Sequence, residues 1–113
     1  MKIKENKNNY IIMEDEKNDV TYLYSYNTLI AVVCNTIETS KNKKNNYGLT
    51  LTKDWDYSKT TLKQLYYFIE LYTTQRDETG NTIAYMLNNK SNKKEYIKKL
   101  IDKKIIKLTK EGC

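Results

Sequence analysis

Histidine is absent from this chain of 113 residues. With it go the commonest general acid–base and the commonest metal-binding nitrogen. The two cysteines, Cys34 and Cys113, form no Cys-x-x-Cys pair, so an ordinary zinc site is excluded as well. Their expected state is a buried small hydrophobe and a loose terminal thiol. Proline is missing and there are 3 glycines. No Gly-x-Gly-x-x-Gly, Walker-type loop or Gly-x-Ser-x-Gly elbow occurs, and no phosphate-cradling backbone loop can be read. The remaining acidic candidates, Asp54 and Asp56, flank Trp55 just ahead of a predicted helix, where the helix dipole favours negative charge. An Asp-x-Asp pair without the glycine and later glutamate of an EF-hand is a poor metal site. These absences argue against an enzyme, and for a protein that acts by binding, with no cofactor and no metal.

Long apolar runs are lacking too. The first residues, Met1 to Asn9, are polar and contain no signal-sequence core, and the longest apolar run, Leu29 to Cys34, is too short to cross a bilayer. The expected location is the cytosol of a bacterial host, with no membrane association. Lysine, asparagine, isoleucine and tyrosine are abundant, the residue usage of an A/T-rich genome. Hydrophobic residues make up 39% and charged residues 30% of the chain, and 11 tyrosines add further apolar area, enough for one core. The expectation is a single domain over residues 1–113, with 1–9 flexible and 90–113 forming a lysine-rich helix plus a short strand.

Periodicity supplies the fold class. Val20, Tyr22, Tyr24 and Tyr26 alternate with Thr21, Leu23 and Ser25, the period of a strand with one tyrosine-rich face. Leu29 to Cys34 reads as a buried strand, and the chain either turns at Asn27 or runs straight through. Tyr10 to Met13 supplies an earlier strand whose turn spans Glu14 to Asp19, and the polar stretch Thr39 to Asn46 leads into a further strand at Tyr47 to Thr52. Beyond it the period changes. Ser58 or Thr60 caps a helix in which Leu62, Leu65, Tyr66, Ile69 and Tyr72 share one side, while Tyr67 and Leu71 point to the other. Asn81 to Leu87 carries a turn or two of helix, with Ile83, Ala84 and Leu87 inward. Ser91 caps a helix from Asn92 to about Asp102, because continuing it would drive Lys104 onto the apolar side, and Ile105 to Leu108 closes as a strand. The expected architecture is α+β: a small antiparallel sheet of three to five strands packed by two or three helices.

Charge is unevenly spread. The whole net charge of +6 resides in residues 90–113, and the rest of the chain is neutral. Lys94, Lys98, Lys99 and Lys103 would line the outer face of the last helix and attract phosphates or an acidic protein surface. With a single arginine, Arg76, bidentate reading of bases is poorly equipped, so contact with nucleic acid would run through the backbone and depend strongly on salt. The tyrosines Tyr22, Tyr24 and Tyr26 admit two readings. They form the face on which helices pack, or an exposed face that stacks bases or anchors a protein.

The segment Tyr26-Asn27-Thr28-Leu29-Ile30-Ala31, followed by Trp55-Asp56-Tyr57-Ser58-Lys59-Thr60-Thr61-Leu62-Lys63, resembles small proteins of phages and other mobile elements of low-GC bacteria. Ser91 to Glu95 and Ile101 to Ile106 fit the same pattern. The resemblance runs from about Val20 onward and carries no activity or functional residue set. It implies an accessory protein that occupies a host machine, in the manner of an anti-CRISPR or related counter-defence inhibitor. The expected partner is a host protein or ribonucleoprotein complex, docked on Tyr22, Tyr24, Tyr26 and the lysine face. Alternatives are a nucleic-acid-binding accessory protein using the same surface and a protein that sequesters a nucleotide signal. The two-sided Leu62 to Tyr72 helix and an exposed sheet edge also admit a homodimer.

Overall fold

The structure, a computed structural model, describes residues 1–7, 9–35 and 47–109. The elements follow in the order β1 (Lys2–Asn6), β2 (Tyr10–Asp15), β3 (Val20–Ser25), β4 (Thr28–Asn35), β5 (Tyr47–Leu51), α1 (Lys59–Tyr72), α2 (Ile83–Asn88), α3 (Lys93–Asp102) and β6 (Lys107–Leu108). The strands form one sheet in sequence order. The first five make an antiparallel meander, and β6 returns from α3 to lie parallel to β5. The fold is α+β, as expected. The strand count, six among the described residues, exceeds the expected three to five.

One strand accounts for the excess. β1 has the sequence Lys-Ile-Lys-Glu-Asn, which lacks apolar alternation, and it forms where the sequence predicts a flexible arm. As an edge strand it is held by backbone pairing to β2, which needs no hydrophobic face. β6 is the closing strand expected at Ile105 to Leu108, reduced to its last two residues. The predicted hairpin loop at Thr39 to Asn46 lies outside the described residues.

The chain turns between β3 and β4. Tyr26 and Asn27 have φ of 49° and 65°, the two successive positive values that a right-twisted two-residue hairpin requires. Within β4 a register shift sets Leu23 against Ala31 and Tyr24 against Leu29, so that Ile30 is the extra residue of a bulge. Through that shift both Ile30 and Ala31 reach the core.

The core occupies one face of the sheet. Ile12, Leu23, Ala31 and Leu51 run across β2 to β5 in register, and Leu65, Phe68 and Ile69 of α1 join the same cluster, with Ile83, Leu87, Ile97 and Leu100 from α2 and α3. α1 begins at the expected Ser58, whose Oγ accepts from the Thr61 amide at 3.1 Å. The helix is rotated slightly from the predicted orientation: Thr61, Gln64, Leu65, Phe68 and Ile69 are buried, while Leu62, Tyr66 and Tyr72 are half-buried at its flanks. α3 ends at Asp102, as the position of Lys104 predicts. Lys104 takes a left-handed φ of 60°, its amide donates to Ile101, and that of Ile105 donates back to Leu100. This is the reciprocal pair that terminates many helices, with lysine in the place that glycine usually fills.

Candidate functional site

Because all three described helices gather on the Leu23 side, strand alternation sends Tyr22 and Tyr24 to the opposite face. This decides between the two readings of the tyrosines: helices pack on Thr21, Leu23 and Ser25, which are buried, and no described helix covers the tyrosine face. There Met13, Tyr22 and Val32 form one cross-strand row, and Ile11, Tyr24 and Leu29 form the next. The rings of Tyr22 and Tyr24 lie 6.4 Å apart with a 32° tilt. Val32 and the neighbouring Thr50 are buried, so the accessible part of this face is its β2–β3 half and the β3–β4 turn. At that turn Tyr26 is 51% exposed. A tyrosine in the left-handed region is strained relative to asparagine or glycine, and its backbone amide is held by the carbonyl of Asn9 at 3.0 Å. Tyr24, Tyr26 and Ile11, with Asn6, Asn9 and Asn27, border a cavity of about 290 Å³ at this end of the sheet.

The four predicted lysines sit elsewhere. Lys94, Lys98, Lys99 and Lys103 lie on α3, in the helical layer on the other side of the sheet from Tyr22 and Tyr24. The structure therefore does not join lysines and tyrosines into one surface. Two of the lysines have acidic neighbours: Lys94 lies 3.7 Å from Asp56, and Lys103 lies 2.9 Å from Glu78. Lys98 and Lys99 are exposed. Asp56, singled out in the sequence beside Asp54, is thus engaged in an ion pair, and Trp55 between them is buried in the core. No group of three or more His, Cys, Asp or Glu side chains is placed to hold a metal among the described residues.

Two polar clusters were not anticipated from sequence. In the first, Glu5 of β1 accepts hydrogen bonds from Tyr10 at 3.2 Å and from Tyr67 of α1 at 2.9 Å. The hydrogen bond to Glu5 pushes the Tyr67 hydroxyl up to about 12. Burial, and then Glu5, raises Tyr10 as well, and Tyr72 is raised by burial and the charges of Glu5 and Glu14. In the second cluster Asp77, only 7% exposed, accepts from the Thr79 amide at 2.9 Å, from the Thr79 hydroxyl at 2.5 Å and from the Tyr96 hydroxyl at 2.8 Å. Burial alone would raise the Asp77 carboxyl, but these bonds outweigh it and hold it below its ordinary range. Tyr96 is pushed up by burial and by Asp77. Every resolved tyrosine shift is upward, so these hydroxyls stay protonated near neutrality and act as hydrogen-bond donors, not as bases. The first cluster had no sequence signal, because β1 itself had none. The second had one: Asp77-Glu78-Thr79-Gly80 is a turn sequence in which an aspartate binds the amide two residues on.

Cys34 corrects a further expectation. It is half-exposed and not free: it is disulfide-bonded. Its register opposite Val20 and Gly48 places it on the same face as Tyr22, which no described helix covers, and this is why it is not a buried hydrophobe.

Residues 1–85 match the model of a family of unknown function, DUF8033, a span that holds the meander and α1 and enters α2. No curated protein and no solved structure matches the chain.

Proposed function

Starting from the family of unknown function to which the chain belongs, we propose that this is a non-enzymatic binding protein whose contact surface is the face around Tyr22, Tyr24 and Tyr26 that no described helix covers. The observation that carries the reading is the segregation of all three described helices to the other face. It leaves large half-exposed side chains, Ile11, Met13, Tyr22, Tyr24 and Leu29, beside a strained turn that displays Tyr26. Tyrosine supplies contact area with little rotamer entropy to lose, and the flat β2–β3 half is a suitable anchor for a protein partner. A host protein or ribonucleoprotein is the partner, and the chain acts as a phage or mobile-element accessory that inhibits a host factor in the cytosol of a low-GC bacterium, with a defence system as the target class. The last step rests on the resemblance of the Tyr26 to Ala31 and Trp55 to Lys63 segments. Among the described residues no helix is long and apolar enough to cross a membrane.

The separation of tyrosines from lysines favours protein over nucleic acid, because a strand stacked on Tyr22 and Tyr24 would lie away from Lys98 and Lys99. The test is capture from host lysate on the immobilised chain, with and without nuclease, repeated with Tyr24→Ala/Tyr26→Ala and with Lys98→Glu/Lys99→Glu. A stoichiometric protein that survives nuclease, is lost with the tyrosine pair and is kept by the lysine pair is the expected result. Capture that the tyrosine pair leaves intact, or that nuclease abolishes, refutes the reading.

A further inference from the structure

The helical layer carries tyrosines of its own, and they lie beside lysines. Tyr57, in the turn that leads into α1, is 73% exposed, more open to solvent than Tyr26. Its amide donates to the carbonyl of Asp54, so the turn is held while the ring stands in water. The residue before it, Asp56, reaches Lys94 of α3 at 3.7 Å, which sets Tyr57 next to the flank of α3 that bears Lys94 and, one turn on, Lys98. A second contact ties the same two helices. The Lys93 ammonium lies 5.6 Å from the centre of the Tyr66 ring, and Lys63 stands on the same side of α1, one turn before Tyr66. Tyr57, Lys63, Lys93, Lys94 and Lys98 are thereby gathered where the first half of α1 and the turn before it meet the start of α3.

Charge on this flank is unbalanced. Lys63 and Lys98 are exposed and pair with no carboxylate among the described residues. Lys94 has Asp56, but both members of that pair are partly exposed, and a pair of this kind contributes little and is readily exchanged. Asp54 and Asp102, at the ends of the patch, make no ion pair with a described lysine. The other flank of α3 differs: Lys103 is held by Glu78 at 2.9 Å, and Asp77 and Glu95 border the same cavity. Lysines with few competing acids, beside a ring open to solvent, fit a flexible polyanion that carries planar groups. We propose that this flank binds single-stranded nucleic acid, a base stacking on Tyr57 and the phosphates passing along Lys63, Lys94 and Lys98. Lys94 and Lys98 are about 6 Å apart along the helix, a step that neighbouring phosphates of an extended strand can follow. A duplex offers Tyr57 no free base face. The chain's one arginine, Arg76, belongs to the loop after α1, so base edges are not read on this flank and sequence preference is weak. The surface lies in the helical layer, opposite the face proposed to hold a protein, and neither reading depends on the other.

Fluorescence anisotropy of labelled oligo(rU) and oligo(dT), titrated with the full chain at rising salt, tests this. At least one is expected to bind at low salt, more tightly than a duplex of equal length, and a preference between them identifies the sugar that is held. Lys63→Gln/Lys98→Gln is expected to lower the slope of log affinity against log salt by about 0.7 for each lysine removed. Tyr57→Ala is expected to weaken binding by about tenfold and leave that slope unchanged, while Tyr57→Phe, which keeps the ring, binds like the parent. Should Tyr57→Ala fail to fold, Tyr57→Leu, bulky but without a ring, provides the same readout. The proposal is overturned if neither strand binds at low salt or if the ringless variants bind like the parent. It is equally overturned if the duplex or vesicles containing phosphatidylserine are held as tightly as the single strands, which would mean that bare charge is all the flank offers. Tyr24→Ala/Tyr26→Ala is expected to bind the strands like the parent and to lose the captured protein, so failure of one reading leaves the other standing.

Discussion

Replacing Asp77 by alanine is expected to destabilise the fold by about 3 kcal/mol, a value that follows from what the carboxylate holds. Asp77 joins the loop after α1 to α3 by accepting from Tyr96 at 2.8 Å, and it closes its own turn by accepting from Thr79. Removing it leaves the buried Tyr96 hydroxyl without an acceptor, a penalty of about 1–3 kcal/mol, and releases the Thr79 amide and hydroxyl, which reach water and add about 1 kcal/mol. Tyr96→Phe removes one donor and strands nothing, since Asp77 keeps Thr79, so its expected cost is nearer 1.5 kcal/mol. In the double variant no hydroxyl is stranded, and the combined loss is expected to fall short of the sum by about 1–2 kcal/mol. Urea unfolding followed by the fluorescence of Trp55, the single tryptophan and 6% exposed, measures all three. The pH dependence has a definite sign. The folded-state pKa of Asp77 is lowered, so its contribution is fully present above the ordinary carboxylate pKa and is lost as pH falls through the folded value. The gap between parent and Asp77→Ala is therefore constant near neutrality and closes in acid. A cost under about 0.5 kcal/mol for Asp77→Ala, or strict additivity in the double variant, would refute the role assigned to this carboxylate.

Two further outcomes follow from groups described above. In a spectrophotometric alkaline titration Tyr67 is expected to ionise at about 12, and Glu5→Gln brings it down toward the ordinary tyrosine value. Because the folded-state pKa is raised, this contact stabilises below pH of about 10 and its contribution disappears as pH rises toward the folded value, so Glu5→Gln should flatten that part of the alkaline stability curve. Cys34 is expected to resist alkylation after aerobic purification and to react once reductant is added. If the chain acts in a reducing cytosol, cells lysed directly into the alkylating agent should show Cys34 labelled, and protection there would contradict the proposed location.

How far the residues alone disclosed the fold depended on whether a segment is held by its side chains. Tyr22 and Leu23 alternate, and β3 was legible. Leu65 and Ile69 recur at helical spacing, and so was α1. The turn at Lys104 was legible for a related reason, since a lysine on the apolar side of α3 would have been buried. β1 is held by backbone pairing at a sheet edge, and no property of Lys2 to Asn6 announces that. Which face of β3 the helices choose was equally hidden, because Tyr22 and Tyr24 are apolar enough for either side. What decides it is Leu23 in register with Ile12 and Ala31, a relation among three strands that no single segment contains. The separation of the tyrosines from Lys98 and Lys99 was hidden for the same reason.

The parallel pairing of β6 with β5 has a consequence for how the chain comes to be made. Of the described elements β6 is translated last, and it shields the Thr50–Leu51 end of the outer side of β5, while Thr73, Thr74 and Gln75 meet the Tyr47 and Leu49 backbone further along. While the polypeptide is still leaving the ribosome, the meander can assemble with that end of the edge bare, its amide and carbonyl groups open to any passing strand. A chain stopped after Ile106, which keeps the core whole and loses Lys107 and Leu108, should therefore clump more readily than the longer one.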